Sequence, residues 1–341
     1  MEHYGHIDGQ DVHRLTLQAG GPRVRVLTYG GIIEAIETPD RAGHWANVVL
    51  GMDSLDGYAT RSPYFGAITG RFANRIARGR FTLDGQEHRL TCNNGPNALH
   101  GGPAGFDKRV WATSNVTDRQ ATLSYISKDG EEGYPGTLTT HVTYTAEPDG
   151  LRIGYRATTD RATVLNLTNH SYFNLAGEGE GSVFGHLLQM DADQFVPVDA
   201  ASIPEGPLRA VADTPFDFRT PQPIGKRIRC GDEQLLRTCG YDHTFVLSDE
   251  PGVRPAASVH HPGSGRTLHV LTDQPGVQVY AGNMLTGALA GISGRAYRSG
   301  DGLCLETGHF PDSPNRPDFP STVLRPGEVF ASTTLLRFTV A

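Results

Sequence analysis

Polar and apolar residues alternate in short runs along most of this chain. Residues 151–157, Leu-Arg-Ile-Gly-Tyr-Arg-Ala, alternate cleanly, as a strand with one buried face should. Short β-prone runs recur at 15–17, 24–27, 32–36, 122–127, 138–145, 266–271, 277–280 and 335–340. Residues 81–90 carry Asp84-Gly85 at their middle, the residue pair favoured in a two-residue hairpin turn. Helical periodicity is nearly missing, and single turns are predicted at 223–228, 233–237 and 284–286. So many strands punctuated by turns predict an all-β chain, a large antiparallel β-sandwich.

Composition sharpens that picture. Glycine at 42 and proline at 22 of 341 residues are well above ordinary usage, and neither suits a helix interior. A helical bundle is excluded. No composition break or flexible linker divides the chain, so residues 1–341 read as one catalytic domain. The formal net charge of −7 lacks the basic footprint of a nucleic-acid binder, and no nucleic-acid partner is expected. No run approaches the length of a membrane span, and the opening Met-Glu-His-Tyr-Gly-His has neither the basic nor the apolar region of a secretory signal. Cys92, Cys230, Cys239 and Cys304 form no C-x-x-C pair and read as reduced thiols of a cytoplasmic protein.

The candidate chemistry lies where strands carry groups that a core disfavours. If 166–175 is extended, Asn166, Thr168, His170, Tyr172 and Asn174 share one face, while Leu167, Phe173 and Leu175 share the other. Such a polar face calls for water or a ligand. Glu306 follows Leu303-Cys304-Leu305, an ionisable group emerging from a buried strand and a candidate proton acceptor. Gln278 and Tyr280 point together off a neighbouring run. Asn74 and Arg75 offer donors suited to hydroxyl groups, and His100 stands beside Gly101 and Gly102, which permit close backbone approach. Asp242-His243 adds an acceptor and a titratable ring. Arg71 alone would pass for a surface charge. The 14 histidines include no H-x-H or H-E-x-x-H pair, and there is no G-x-S-x-G elbow, Walker stretch or G-x-G-x-x-G.

In order along the chain, Gly70-Arg71-Phe72-Ala73-Asn74-Arg75-Ile76, Leu99-His100-Gly101-Gly102, Asn169-His170-Ser171-Tyr172-Phe173-Asn174-Leu175, Gly240-Tyr241-Asp242-His243, Leu305-Glu306-Thr307 and Phe310-Pro311-Asp312-Ser313-Pro314-Asn315 form a specific set. This set resembles the aldose 1-epimerase (galactose mutarotase) family, from about Gly30 to the C-terminus. The resemblance implies a sugar cleft across one sheet of the sandwich, with Glu306 as general base and His170 as general acid. It places Asn74, Arg75, His100, Asp242 and Gln278 around a small monosaccharide, and it implies no cofactor and no metal. Three positions depart from the family pattern: Gly308 where glutamine is frequent, Ala281 where threonine is usual, and Thr244 where asparagine is frequent.

The implied reaction explains the residue types. Anomers of a cyclic aldose exchange only through ring opening. A base takes the C1 hydroxyl proton, an acid protonates the ring oxygen, C1–O5 breaks, C1–C2 rotates, and closure reverses the transfers. Histidine starts near 6.5 and can serve as the acid when protonated, and glutamate, starting near 4.3, is available as the base at neutral pH even without a large shift. A phosphosugar mutarotase, a glycoside-cleaving enzyme and a non-catalytic sugar-binding protein are the alternative readings of the same residues.

Overall fold

The computed structural model describes all 341 residues. Two antiparallel sheets face each other across the main core. The larger has nine strands in the order Ala112–Ser114, Gln120–Ser127, Leu138–Glu147, Gly150–Thr159, Phe330–Val340, Arg266–Thr272, Arg254–His260, Leu187–Met190 and Gln222–Pro223. The smaller has six, in the order Tyr172–Phe173, Leu303–Gly308, Gly276–Tyr280, Asp242–Val246, Gln194–Phe195 and Arg209–Ala210. A five-stranded sheet from Glu2–Ile7 to Trp45–Asn47 flanks them. No helix is long and apolar enough to cross a membrane.

The two-residue period sets what each sheet buries. Leu138–Glu147 alternates buried and half-buried positions along all its length. Its inward Val142 and Tyr144 join Ile153, Leu268 and Val270 from neighbouring strands. Val277, Val279, Leu303, Leu305 and Phe245 meet them from the six-stranded sheet, and Leu15 and Ile36 from the N-terminal one. A single cluster of buried apolar residues therefore reaches from Leu15 to Leu336.

The strand expectations correspond to observed strands, and the hairpin forms as Arg80–Leu83 and Gln86–Arg89. Its turn residues Asp84 and Gly85 both have positive φ, 50° and 80°, as the primed turn requires. Of the three predicted helical turns, Glu233–Thr238 is an α-helix capped by Asp232, and Ile224–Lys226 is a 3-10 turn. The third is not helical: 283–284 is a turn that leads into the strand Thr286–Ala290. A helix at Leu55–Thr60, capped by the Ser54 hydroxyl, had no counterpart in the hydrophobic pattern.

Two expectations need correction. The 166–175 segment is not one strand with a wet face. It breaks into Thr168–Asn169, paired with Ile68–Thr69, and Tyr172–Phe173, paired with the Leu303–Gly308 strand. Both faces are buried, and its asparagines satisfy backbone groups of remote loops. Asn166 donates to the Ala73 carbonyl and accepts from the His309 amide, both at 3.0 Å. Asn169 donates to the Gly66 carbonyl at 2.7 Å, and Asn174 to the carbonyls of Gly181 and Asp301 at 2.6 and 3.0 Å. Arg71, likewise, is no surface charge. It is only 2 % exposed, and its guanidinium donates to the carbonyls of Pro135, Gly136 and Ser127 and to the Ser127 hydroxyl, at 2.7 to 3.1 Å.

A buried guanidinium bound by this many acceptors holds a loop in place. Hydrogen bonds from a charged donor contribute about 1.5–3 kcal/mol each, and losing the donor leaves carbonyls stranded. Arg71→Met is expected to lower unfolding free energy by about 3 kcal/mol or more, read as an earlier urea midpoint at unchanged slope. Arg71→Lys should recover only part of it, because an ammonium lacks the planar fork.

Candidate active site

The six-stranded sheet presents its side chains in cross-strand rows. Thr244, Gln278 and Glu306 lie directly opposite one another on three adjacent strands, and so do Asp242, Tyr280, Cys304 and Tyr172 in the next row. Alternate residues, among them His243, Phe245, Val277, Val279, Leu303 and Leu305, point to the opposite face. His243 is therefore not part of the cleft: its ring packs against Phe195 and Phe216 and contacts Gln234 at 3.2 Å.

Loops from the N-terminal half close over these rows. His170 sits between its two short strands, held by backbone hydrogen bonds to Gly66 and Ala67. Its Nε2 lies 3.6 Å from Glu306 Oε1, and its Nδ1 lies 3.6 Å from the Cys304 thiol. The His100 ring meets it edge to face, with centroids 5.1 Å apart. His100 has φ 52° and is followed by Gly101, where a Cβ would fall 1.9 Å from the Gly70 carbonyl oxygen. Only glycine permits that approach, which brings His100 beside Asn74. Arg75 is anchored through Nε to Asn94 Oδ1 at 3.0 Å, and Gln278 Nε2 donates to Asp242 Oδ1 at 2.6 Å. Asn74 gives its side-chain oxygen to the Arg75 amide at 2.8 Å. All seven expected site residues thus come together in one connected cluster.

Hydrogen bonding sets the state of His100. Its Nδ1 accepts the Asn74 amide N–H at 3.0 Å, so the neutral ring carries its proton on Nε2. His100, His170 and Glu306 place potential ligand atoms within 4.8 Å of one another. A cation there would need a lone pair on His100 Nε2, and the Asn74 amide keeps that atom protonated. The ring is built to donate a hydrogen bond into the cleft.

Burial governs the acidities. Desolvation drives the Glu306 carboxyl well above its ordinary value, reinforced by Asp242 and opposed by Arg75. Desolvation lowers His170 to about 4 and His100 well below 6.5. Asp242 is raised by burial, with Arg75 and the Gln278 amide pulling the other way. The sequence led us to expect an ionised glutamate and a charged histidine. Burial pushes the two groups the opposite way, holding the Glu306 proton more tightly and the His170 proton less.

Known proteins match these features along nearly the full chain. The aldose 1-epimerase family pattern covers residues 13–337. Galactose mutarotase of Bos taurus is 48 % identical over 97 % of this chain and 95 % of its own. The aldose 1-epimerase of Escherichia coli K12 is 40 % identical over 97 % and 96 %. An aldose epimerase homologue from C. elegans superposes with a TM-score of 0.90 at 30 % identity, covering 97 % of this chain and 99 % of its own. The chain belongs to the aldose 1-epimerase family. As a family member it is an isomerase that binds a small sugar and interconverts the anomers of aldoses.

Against that family, the three departures fall in different places. Ala281 is wholly buried in the main core and does not reach the cleft. Gly308 is backed by Asn166, whose Oδ1 would lie 3.0 Å from an added Cβ. Thr244 and Gly308 both lie on the face of the sheet that carries Glu306. The motifs did not single out Tyr64 or Cys304. The Tyr64 ring lies nearly parallel to His170 at 5.6 Å and 4.6 Å from His100, on a residue with φ 68°. An aromatic residue in a left-handed conformation is a signal visible only in coordinates.

The acidities carry a direct check. In a ring-resolved NMR titration, His170 should stay neutral through pH 6 and titrate near 4, while His100 shows the Nε2–H tautomer throughout. A His170 midpoint near 6.5 would contradict its burial.

Proposed function

We propose that the protein interconverts the α and β anomers of free aldohexoses, galactose foremost, with Glu306 and His170 exchanging the protons. The observation that carries this reading is the pair itself. Glu306 and His170 are both buried, and 3.6 Å separates the carboxyl oxygen from the ring nitrogen, close enough to pass a proton between them. Ring opening needs one proton removed at O1 and one delivered at O5, and ring closure needs the reverse. A pair that holds one proton in either of two arrangements suits both directions. Burial favours the neutral arrangement, and the positive charge of Arg75 favours the ionised carboxylate. The family roles, base on Glu306 and acid on His170, correspond to the ion-pair arrangement with sugar bound.

Asn74, Arg75, His100, Asp242 and Gln278 then orient the sugar. The His100 Nε2–H donates and Asp242 accepts, which fits a ring of hydroxyl groups. Relatives 45–48 % identical named galactose mutarotase support galactose, as does a galactose 1-epimerase of Lactobacillus acidophilus with a TM-score of 0.87. The apolar cluster that spans Leu15 to Leu336 supports one catalytic domain, and four unpaired cysteines suit a reducing cytoplasm.

Polarimetry of freshly dissolved α-D-galactose tests the proposal, with α-D-glucose, xylose, arabinose and glucose 6-phosphate alongside. Galactose should equilibrate fastest, and no acceleration over buffer would refute the activity. Glu306→Gln keeps the shape but removes the proton site, and should cut kcat by about 10²–10⁴-fold, the usual scale of general acid–base catalysis. The singly protonated pair predicts the pH profile of kcat/KM. It should fall on the acid side as His170 also takes a proton near 4. On the alkaline side it should fall as Glu306 loses its proton, at a pH above the ordinary carboxylate range.

A further inference from the structure

We infer that Thr244 is a positioning residue: its hydroxyl locks the Gln278 amide so that Asp242 presents a free carboxylate oxygen to the sugar. This rests on the reading of the cleft above and adds a residue to it. Thr244 and Gln278 are cross-strand partners on the cleft face, and Gln278 is in turn the partner of Glu306. Thr244 Oγ1 lies 2.5 Å from Gln278 Oε1, and Gln278 Nε2 lies 2.6 Å from Asp242 Oδ1. These two contacts determine each other. An ionised carboxylate only accepts, so the amide must turn its NH2 toward Asp242. Its carbonyl oxygen then faces Thr244, and the hydroxyl must donate to it. Turning the amide over would set a carbonyl oxygen against a carboxylate.

The threonine is held at its other end as well. A Cβ at Gly276 would lie 2.8 Å from Thr244 Cγ2 and 2.9 Å from the Phe310 ring, so the methyl occupies the space that this glycine leaves. A β-branched side chain has little rotamer freedom, and fixing the methyl aims the hydroxyl. Thr244 is only 3 % exposed and Gln278 7 %, which keeps water from replacing either bond. The chain Thr244–Gln278–Asp242 therefore satisfies one oxygen of Asp242 from inside the protein and leaves the other for a sugar hydroxyl. The Gln278 bond also stabilises the ionised form of Asp242 against burial. Without the hydroxyl the amide is free to turn, and Asp242 retains its proton more readily.

The test compares Thr244→Val, which keeps the branched shape without the hydroxyl, with Thr244→Ser, which keeps the hydroxyl. For α-D-galactose, Thr244→Val should raise KM about ten-fold with kcat changed less than three-fold, and its KM should improve as pH rises. Thr244→Ser should stay within two-fold of wild type. Equal defects in both variants would assign the effect to methyl packing and overturn the inference, as would an unchanged KM in Thr244→Val. Two further readouts separate this from the acid–base assignment. Galactose affinity measured by calorimetry in a Glu306→Gln background should fall about ten-fold on adding Thr244→Val, whether or not Glu306 is the base. The carboxyl 13C titration of Asp242, which needs no sugar, should move to higher pH in Thr244→Val and not in Thr244→Ser. A titration unmoved in both variants would overturn the inference even if the cleft bound a different ligand.

Discussion

A carboxyl group at the middle of a strand buried along its whole length is the constraint on which the rest of this protein depends. Every residue of Leu303–Gly308 is buried, and Glu306 cannot be ionised there without help. Burial alone favours its neutral form. Arg75 across the cleft favours the charge, Asp242 opposes it, and His170 stands close enough to take or return the proton. The two sheets of the sandwich supply the dry floor, and loops of the N-terminal half bring in the groups that make the buried acid reversible.

Those loops are held by polar side chains that never meet a sugar. Asn166, Asn169 and Asn174 bind backbone groups of segments far away in sequence, and Arg71 binds three such carbonyls at once. Buried backbone donors and acceptors must be paired. Here side chains do what sheet ladders cannot, because the chain crosses between sheets in pieces only two residues long. The result is a rigid frame in which His100 has a fixed tautomer and both histidines have fixed distances to their partners, which acid–base chemistry requires.

The cleft floor follows from register more than from motif. Once the strands Asp242–Val246, Gly276–Tyr280 and Leu303–Gly308 pair as they do, Thr244, Gln278 and Glu306 fall in one row and Asp242, Tyr280 and Cys304 in the next. A slip of one residue would turn all of them into the core. The apolar alternates Val277, Val279, Leu303 and Leu305 prevent that slip, so packing of the hidden face protects the geometry of the exposed one.

Much of this was legible in the amino-acid order alone. Period-two alternation located the strands, Asp84-Gly85 the hairpin, and Glu306 after Leu-Cys-Leu the anomalous carboxyl, because these signals are local. The resemblance of several short motifs to one family named the seven cleft residues before any coordinates. Local pattern could not tell which polar residues of a motif face the ligand and which staple the fold. Asn166, Asn174 and Arg71 looked like binding groups or surface charge and proved to be internal ties. His243 looked like a partner of Asp242 and points the other way. Nor could residue types reveal that burial pushes Glu306 up and His170 down, since acidity depends on desolvation and on neighbours brought from distant parts of the chain. The sequence by itself determined the strands, the chemistry available and the family. Only the tertiary structure decided burial, and with it the charge, tautomer and partner of each group.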